Sequence, residues 1–327
     1  MLILLEGHDC CGKSTLADRI AHYLNRSGGR YRTTESLVTV VHKGPPTEHP
    51  LREYAQPLLS YRTGRQRHVI CDRWHVGESV YPSVLGRRTQ LDAGVRAWLE
   101  LFLLSRGALL VHVRQTDDYL HDCGVSRGDP VAELERIPAT TRAFDRYVAE
   151  SLLPTLSLDV GQVSDDDVAD VIYQAQLLEA RASQAQLATT FIGAARPSLL
   201  LVGDRRGVSG DPREHGNWPA FAPFPLTSGH WLLRALTMHP PNVREHGHAL
   251  STLALVNAND VDDVETVWRA AYQPPTVALG ARASDRLLDL KIPHSYSHHP
   301  QWWRRFRYHD TADFVADVFH REAVVDA

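Results

Sequence analysis

The sequence predicts an α/β protein of two domains: a parallel sheet with helices on both faces, followed by a smaller α/β/α sandwich. Three observations carry this. Apolar runs of strand length alternate with stretches of helical periodicity along the whole chain. The first run, Met1 to Leu5, leads directly into Gly7-His8-Asp9-Cys10-Cys11-Gly12-Lys13-Ser14-Thr15, a full G-x-x-x-x-G-K-S phosphate loop. A capped, alanine- and glutamine-rich helix from Ser164 to Thr190, with a fresh unit starting at Arg196-Pro197, then divides the chain into 1–190 and 196–327.

The phosphate loop needs a buried strand before it and a helix after it, because it aims backbone N–H groups and a helix N-terminus at phosphate oxygens. Both are present. Leu16, Ile20, Tyr23 and Leu24 recur at helical spacing, and Ser27-Gly28-Gly29 stops the helix. Gly7, Cys10, Cys11, Gly12, Lys13, Ser14 and Thr15 are thus expected to hold ATP, with Lys13 on the outer phosphates and the Ser14 hydroxyl on Mg²⁺.

Composition narrows the remaining classes. At 327 residues and 43% hydrophobic content the chain has material for two cores, and the mean hydropathy is -0.28. No apolar run approaches the ~20 residues of a membrane span, so no membrane partner and a cytoplasmic location are expected. The four cysteines lack metal-site spacing. A net charge of -4 gives no global attraction to nucleic acid. Lysine occurs only at 13, 43 and 291 in an arginine-rich chain, which singles out Lys43 as a second phosphate contact.

A second strand, Leu37 to His42, breaks at Lys43-Gly44-Pro45-Pro46, and a helix over Leu51 to Tyr61 carries Arg52. The third strand ends in Asp72-Arg73. There the carboxylate suits the magnesium site and the guanidinium suits a phosphate. Ala93 to Leu104 reads as an amphipathic helix and Ala108 to Val113 as a strand. Val125 to Pro130 reads as a basic loop carrying Arg127 as a lid residue, before a helix over Val131 to Leu153.

Gly7-His8-Asp9 and Gly12-Lys13-Ser14-Thr15, with Asp72-Arg73 and then Glu78, Ser79 and Tyr81, resemble the thymidylate kinase and deoxynucleoside monophosphate kinase family, its viral members in particular. The resemblance implies that Asp9 meets the sugar of an acceptor nucleotide and Arg73 its phosphate; Lys43, Arg52 and Tyr81 complete the expected acceptor site. Lys13, Asp72, Arg73 and Arg127 would form the catalytic set. The chain departs from the family in having Lys43-Gly44-Pro45-Pro46 where an Arg-Glu-Pro-Gly-Gly segment is usual, and Cys10-Cys11 where small residues are usual.

In the second half, strands at Ser198 to Val202, Leu253 to Asn257, Thr276 to Leu279 and Ser295 to His298 alternate with helices, the last at Thr311 to Ala323. Their ends collect Gly203-Asp204-Arg205-Arg206-Gly207, Asn257-Ala258-Asn259-Asp260, Gly280 and His298-His299-Pro300 on one rim, where ligands sit in open α/β sheets. With Pro223-Phe224 and Ser228-Gly229, this order resembles the uracil-DNA glycosylase superfamily. That resemblance implies that Phe224 stacks a base, Asn257 reads its edge, His299 stabilises charge and Asp204 assists hydrolysis. Arg206 stands where that family's loop has proline. Gln301 to Tyr308 interleaves aromatic and arginine residues, as a single-strand binder or a structural loop would.

Three functions remain open. The first is a kinase moving the γ-phosphoryl of ATP to a deoxynucleoside monophosphate, thymidine-type or a modified pyrimidine. The second is a kinase acting on a hydroxymethylated pyrimidine within DNA. The third is an ATP-dependent nucleic-acid-binding module. A homodimer is open in all three.

Overall fold

The structure is a computed structural model. It describes residues 1–27, 38–46, 49–59, 61, 68–128, 136–159, 161, 163–183, 191–204, 218–224, 227–258 and 261–320. The chain divides into two compact units. The first holds Met1–Pro57, Arg62–Leu91 and Gly107–Ala180; the second holds Leu58–Tyr61, Asp92–Arg106 and Arg181–Ala327.

The first unit is built on a five-stranded parallel sheet of β1 (Leu2–Glu6), β2 (Val38–His42), β3 (His68–Asp72), β4 (Ala108–Arg114) and β5 (Thr155–Asp159), ordered β2-β3-β1-β4-β5. The central β1 is apolar on both faces because helices cover both, and all five of its residues are buried. Ile3, Leu5, Ile70, Val111 and Val113 pack with Leu16 and Ile20 of the helix Lys13–Ser27 and with Val171 and Ala175 of the helix Asp165–Ser183. The chain moves to one side of β1 and then to the other. The loops after β1 and β3 therefore open at a topological switch point, where α/β sheets bind ligands.

The second unit holds a mixed sheet of β6 (Ile192–Gly193), β7 (Leu199–Gly203), β8 (Leu253–Asn257), β9 (Thr276–Leu279) and β10 (Ser295–Ser297), ordered β10-β9-β7-β8-β6, with only β6 antiparallel. Gly193 is demanded by that pairing: at φ 110°, a Cβ there would stand 2.2 Å from the Leu253 carbonyl oxygen. Among the described residues, no helix is long and apolar enough to cross a membrane.

Several elements differ from the sequence reading. The helix Ala93–Leu104 clusters with the second unit, not the first. It is buried almost all round, and within that unit Trp98 donates Nε1–H to the Ala220 carbonyl at 2.9 Å while stacking on Phe102. Val125 to Arg127 are the last turn of a helix, Asp117–Arg127, that Gly128 caps at φ 67°, so the expected loop is helical there. Composition hid that helix, since only Leu120 and Gly124 are buried. Of the expected helix over Val131 to Leu153, the described part is the helix Ile137–Ala149, and the edge strand β5 follows. Residues 28–29, 129–135, 184–190, 205–207, 259–260 and 321–323, which carried parts of the sequence reading, lie outside the described residues.

Trp98 is fully buried. Trp98→Ala should lower stability by about 3–5 kcal/mol, the usual cost of an aromatic-to-alanine cavity, measured by urea denaturation.

Candidate functional site

The loop after β1 has the backbone its chemistry needs. Gly7 (φ 148°), Cys10 (φ 67°) and Gly12 (φ 95°) all take positive φ, and a Cβ on Gly7 would meet the Val113 carbonyl oxygen at 2.2 Å. Cys11 is buried in the core, where burial pushes its thiol pKa up, and Cys10 packs against the same cluster. Both act as small packing residues. Lys13 is 4% exposed, and its ammonium donates to the carbonyls of Gly7 (2.9 Å) and His8 (2.6 Å). The charge is thus held inside the loop it serves.

Ser14 and Asp72 meet. The Ser14 hydroxyl donates to Asp72 Oδ2 at 2.7 Å, His42 Nδ1 stands 3.5 Å from the same oxygen, and the buried Oδ1 has no hydrogen-bond partner among the described residues. An oxygen pair of this kind, one hydroxyl and one underused carboxylate, fits a magnesium ion. Thr15 is exposed one residue on.

The next residue along β3 reaches the other side of the loop. Arg73 Nη2 lies 2.8 Å from Asp9 Oδ1, and the Asp9 N–H donates to the Tyr81 hydroxyl at 3.1 Å. Asp9, Lys43, Arg73 and Tyr81 line one cavity of about 220 Å³, with Glu6, Tyr54, Trp74, Glu78 and Arg87. Lys43 pairs with Glu53 at 3.0 Å. Arg52 is exposed on the helix Pro50–Tyr54 and is not among the lining residues, nor is Arg127, which is exposed at the end of its helix. Sequence reasoning passed over Tyr54 and Trp74, whose rings meet edge to face at 5.5 Å, and over Glu6. Neither aromatic lies in a motif that would mark it, and Glu6 falls between the apolar run Met1 to Leu5 and the phosphate loop with no local signal of its own.

Behind Tyr81 lies a second layer. Tyr81 meets Phe144 edge-on at 5.8 Å, and Phe144 stacks on His112, which is buried in β4. Burial lowers the His112 pKa to about 4, against an upward pull from Asp145.

In the second unit, Asp204 Oδ1 accepts the Ala283 N–H at 2.9 Å at the start of the helix Ala281–Asp289. Gly280 lets it approach, since a Cβ there would stand 2.6 Å from that oxygen. Asn257 is 1% exposed, and neither its amide nitrogen nor its oxygen has a hydrogen-bond partner among the described residues. The ring that shares its surroundings is Phe221: a Cβ on Gly203 would lie 2.4 Å from Phe221 Cζ and 3.1 Å from Asn257 Oδ1. Phe224 instead packs edge-on against Trp218 at 5.1 Å. His299 caps the helix Pro300–Phe306 by accepting the Gln301 N–H at 3.1 Å, and burial lowers its pKa while Asp204 opposes the shift.

The aromatic and arginine segment is helical over Pro300–Phe306 and partly absorbed by packing. Trp303 is buried, Arg307 pairs with Asp310 and Asp313, and the Tyr308 hydroxyl accepts from Arg234 at 2.9 Å. Trp302 stacks on His298 at 4.4 Å and Phe306 remains exposed. His248 bonds Ser198 at 2.8 Å, and no group of metal-ligating side chains occurs among the described residues.

No family profile and no curated protein matches the chain. Among solved structures it is similar to the YorR protein of Bacillus subtilis in complex with phosphorylated GDP, at 22% identity over 54% of this chain and 96% of that one, with a TM-score of 0.43. It is also similar to deoxyadenosine kinase from M. mycoides with bound dCTP, at 14% identity over 54% and 100% (TM-score 0.32). A third is a putative polyphosphate kinase 2 from Pseudomonas aeruginosa, at 13% identity over 99% and 84% (TM-score 0.42).

The His112 pKa yields a pH dependence. Its folded value lies below its unfolded one, so its contribution is present in full above about pH 6.5 and is lost as pH falls toward about 4. Urea stability should fall across that window by up to about 3 kcal/mol on account of this group, and His112→Gln should flatten that part of the profile.

Proposed function

We propose that the first unit is a phosphotransferase that moves the γ-phosphoryl group of ATP to a deoxynucleoside monophosphate, thymidine-type or a modified pyrimidine. The observation that carries this is a double link between the phosphate loop and the end of β3. Ser14 bonds Asp72 at 2.7 Å, and Asp9 pairs with the adjacent Arg73 at 2.8 Å. Consecutive residues of one strand end thus serve the metal side and the acceptor side of a single loop.

Lys13 leaves its loop carbonyls for the β- and γ-phosphates when ATP enters, and backbone N–H groups of residues 10–15 surround the same oxygens. Ser14 and Asp72 would hold Mg²⁺, which when bound neutralises charge on those phosphates. Arg73 holds the acceptor phosphate, and Asp9 orients both that guanidinium and the acceptor sugar. Tyr54 and Trp74, themselves almost wholly buried, back the cavity in which the base sits. An acceptor phosphate oxygen attacks the γ-phosphorus as the bond to the β–γ bridging oxygen breaks, and ADP leaves. Positioning and charge compensation do the work, with no covalent enzyme intermediate. Arg127, exposed at the end of the helix Asp117–Arg127, closes over the transferring phosphoryl.

A second reading is favoured by the Asn257 amide, which lies beside Phe221 and has no hydrogen-bond partner among the described residues. A buried amide offering both a donor and an acceptor next to an aromatic ring suits a nucleobase edge. The second unit then binds a base, and the acceptor is a hydroxymethylated pyrimidine within DNA. Labelled phosphate on modified DNA, with none on free nucleotides, would select this reading.

Coupled assays with ATP and each deoxynucleoside monophosphate test the first reading. Lys13→Ala should lower kcat by about 10²–10³, as loss of a transition-state cation does, and Arg73→Ala should raise the acceptor KM by roughly tenfold or more. Turnover of none of these acceptors would end it.

A further inference from the structure

Glu6 ends β1 one residue before the phosphate loop and is 1% exposed. A carboxylate at that depth must be hydrogen-bonded, and its partners lie on the neighbouring strand's exit. Its Oε1 accepts the backbone N–H groups of Trp74 and of Val76, each at 2.9 Å. These are leading donors of the helix His75–Leu85, whose N-cap residue, Trp74, supplies no side-chain acceptor. Glu6 therefore caps this helix from a different strand, a task usually done by the N-cap residue itself.

The residue just before that cap is Arg73, held at φ 63°, a conformation that L-residues avoid. Its own N–H donates to the Leu5 carbonyl at 3.0 Å. Residue 73 is thus pinned to β1 on both sides, by the Leu5 carbonyl on its own nitrogen and by the Glu6 carboxylate on the nitrogens that follow. In that pose its guanidinium meets Asp9 at 2.8 Å, and Glu6, Asp9 and Arg73 all border the same cavity. Without the Glu6 acceptor, nothing in the Trp74 side chain would satisfy the turn, and a relaxed residue 73 would swing the guanidinium from the cavity.

We propose that Glu6 is a positioning residue for the phosphoryl acceptor: it holds the 73–76 turn in the pose that aims Arg73 at Asp9, and it acts through hydrogen-bond reach, not through charge. This rests on the phosphotransferase reading of the same site.

Two variants separate reach from charge. Glu6→Gln keeps an oxygen at the same distance and removes the charge; Glu6→Asp keeps the charge and withdraws the oxygens by one C–C bond, about 1.5 Å. In initial-rate assays Glu6→Asp should raise the acceptor KM about tenfold with the ATP KM changed less than about twofold, while Glu6→Gln shifts either by less than about threefold. In an Arg73→Ala background, Glu6→Asp should add less than about twofold, because its effect passes through the missing guanidinium. The reverse ranking of the two variants, or effects that multiply with those of Arg73→Ala, overturns the proposal. Should Glu6→Asp not fold, Glu6→Gln decides alone: an acceptor KM raised more than about tenfold overturns it, and a shift under about threefold supports it. If the wild-type protein phosphorylates no acceptor, the phosphotransferase reading fails separately. Crystal structures of the wild-type and Glu6→Gln proteins then judge the role of Glu6. Residue 73 keeping its left-handed φ, with the amide oxygen on the nitrogens of 74 and 76, supports it, and a substituted side chain turned away while the turn persists overturns it.

Discussion

The hydrogen bond between the Ser14 hydroxyl and the Asp72 carboxylate is the constraint on which the first unit's chemistry depends. It can form only because β1 and β3 are adjacent and parallel, with Leu5 beside Asp72 in register. A one-residue slip would turn Asp72 toward the opposite face of the sheet. The same register carries Arg73 to Asp9 and brings Trp74 and Val76 to Glu6. Strand pairing in an apolar core thus sets polar distances at its edge, and the helix Lys13–Ser27 fixes the loop from the other side.

Much of this was legible in the amino-acid sequence, and the reason is spacing. The phosphate loop concentrates its glycines, lysine and hydroxyl within nine positions, and a strand ending in Asp72-Arg73 is a local pattern too. Glu6 was not legible, because its role lies in nitrogens sixty-eight and seventy residues away. Phe221 was hidden by Phe224, three positions on in the same segment, and only the close approach of Gly203 tells them apart. The helix Asp117–Arg127 lacks an apolar stripe, and β5 is a half-exposed edge strand without strict alternation.

Buried polarity is only partly answered at either rim. In the first unit Lys13 is answered by carbonyls, Arg73 by Asp9 and Lys43 by Glu53, while Asp72 Oδ1 has no hydrogen-bond partner among the described residues. In the second, Asp204 is tied to a helix start, and the Asn257 amide has neither of its functions met among the described residues. Native proteins seldom leave such a group unanswered without a use for it. The ring that approaches Gly203 beside Asn257 is Phe221, not the Phe224 that the motif order suggested.

The helix Ala93–Leu104 sits in sequence between strands of the first sheet yet belongs to the second unit. The two halves are consequently not beads on a string that a protease or a cloning boundary near residue 190 could separate. An amino-terminal fragment would carry Trp98, Phe102 and their leucine neighbours into water, and the carboxyl-terminal remainder would lack the indole that its Ala220 carbonyl binds. A truncation meant to part the units has to leave Asp92–Arg106 with the second.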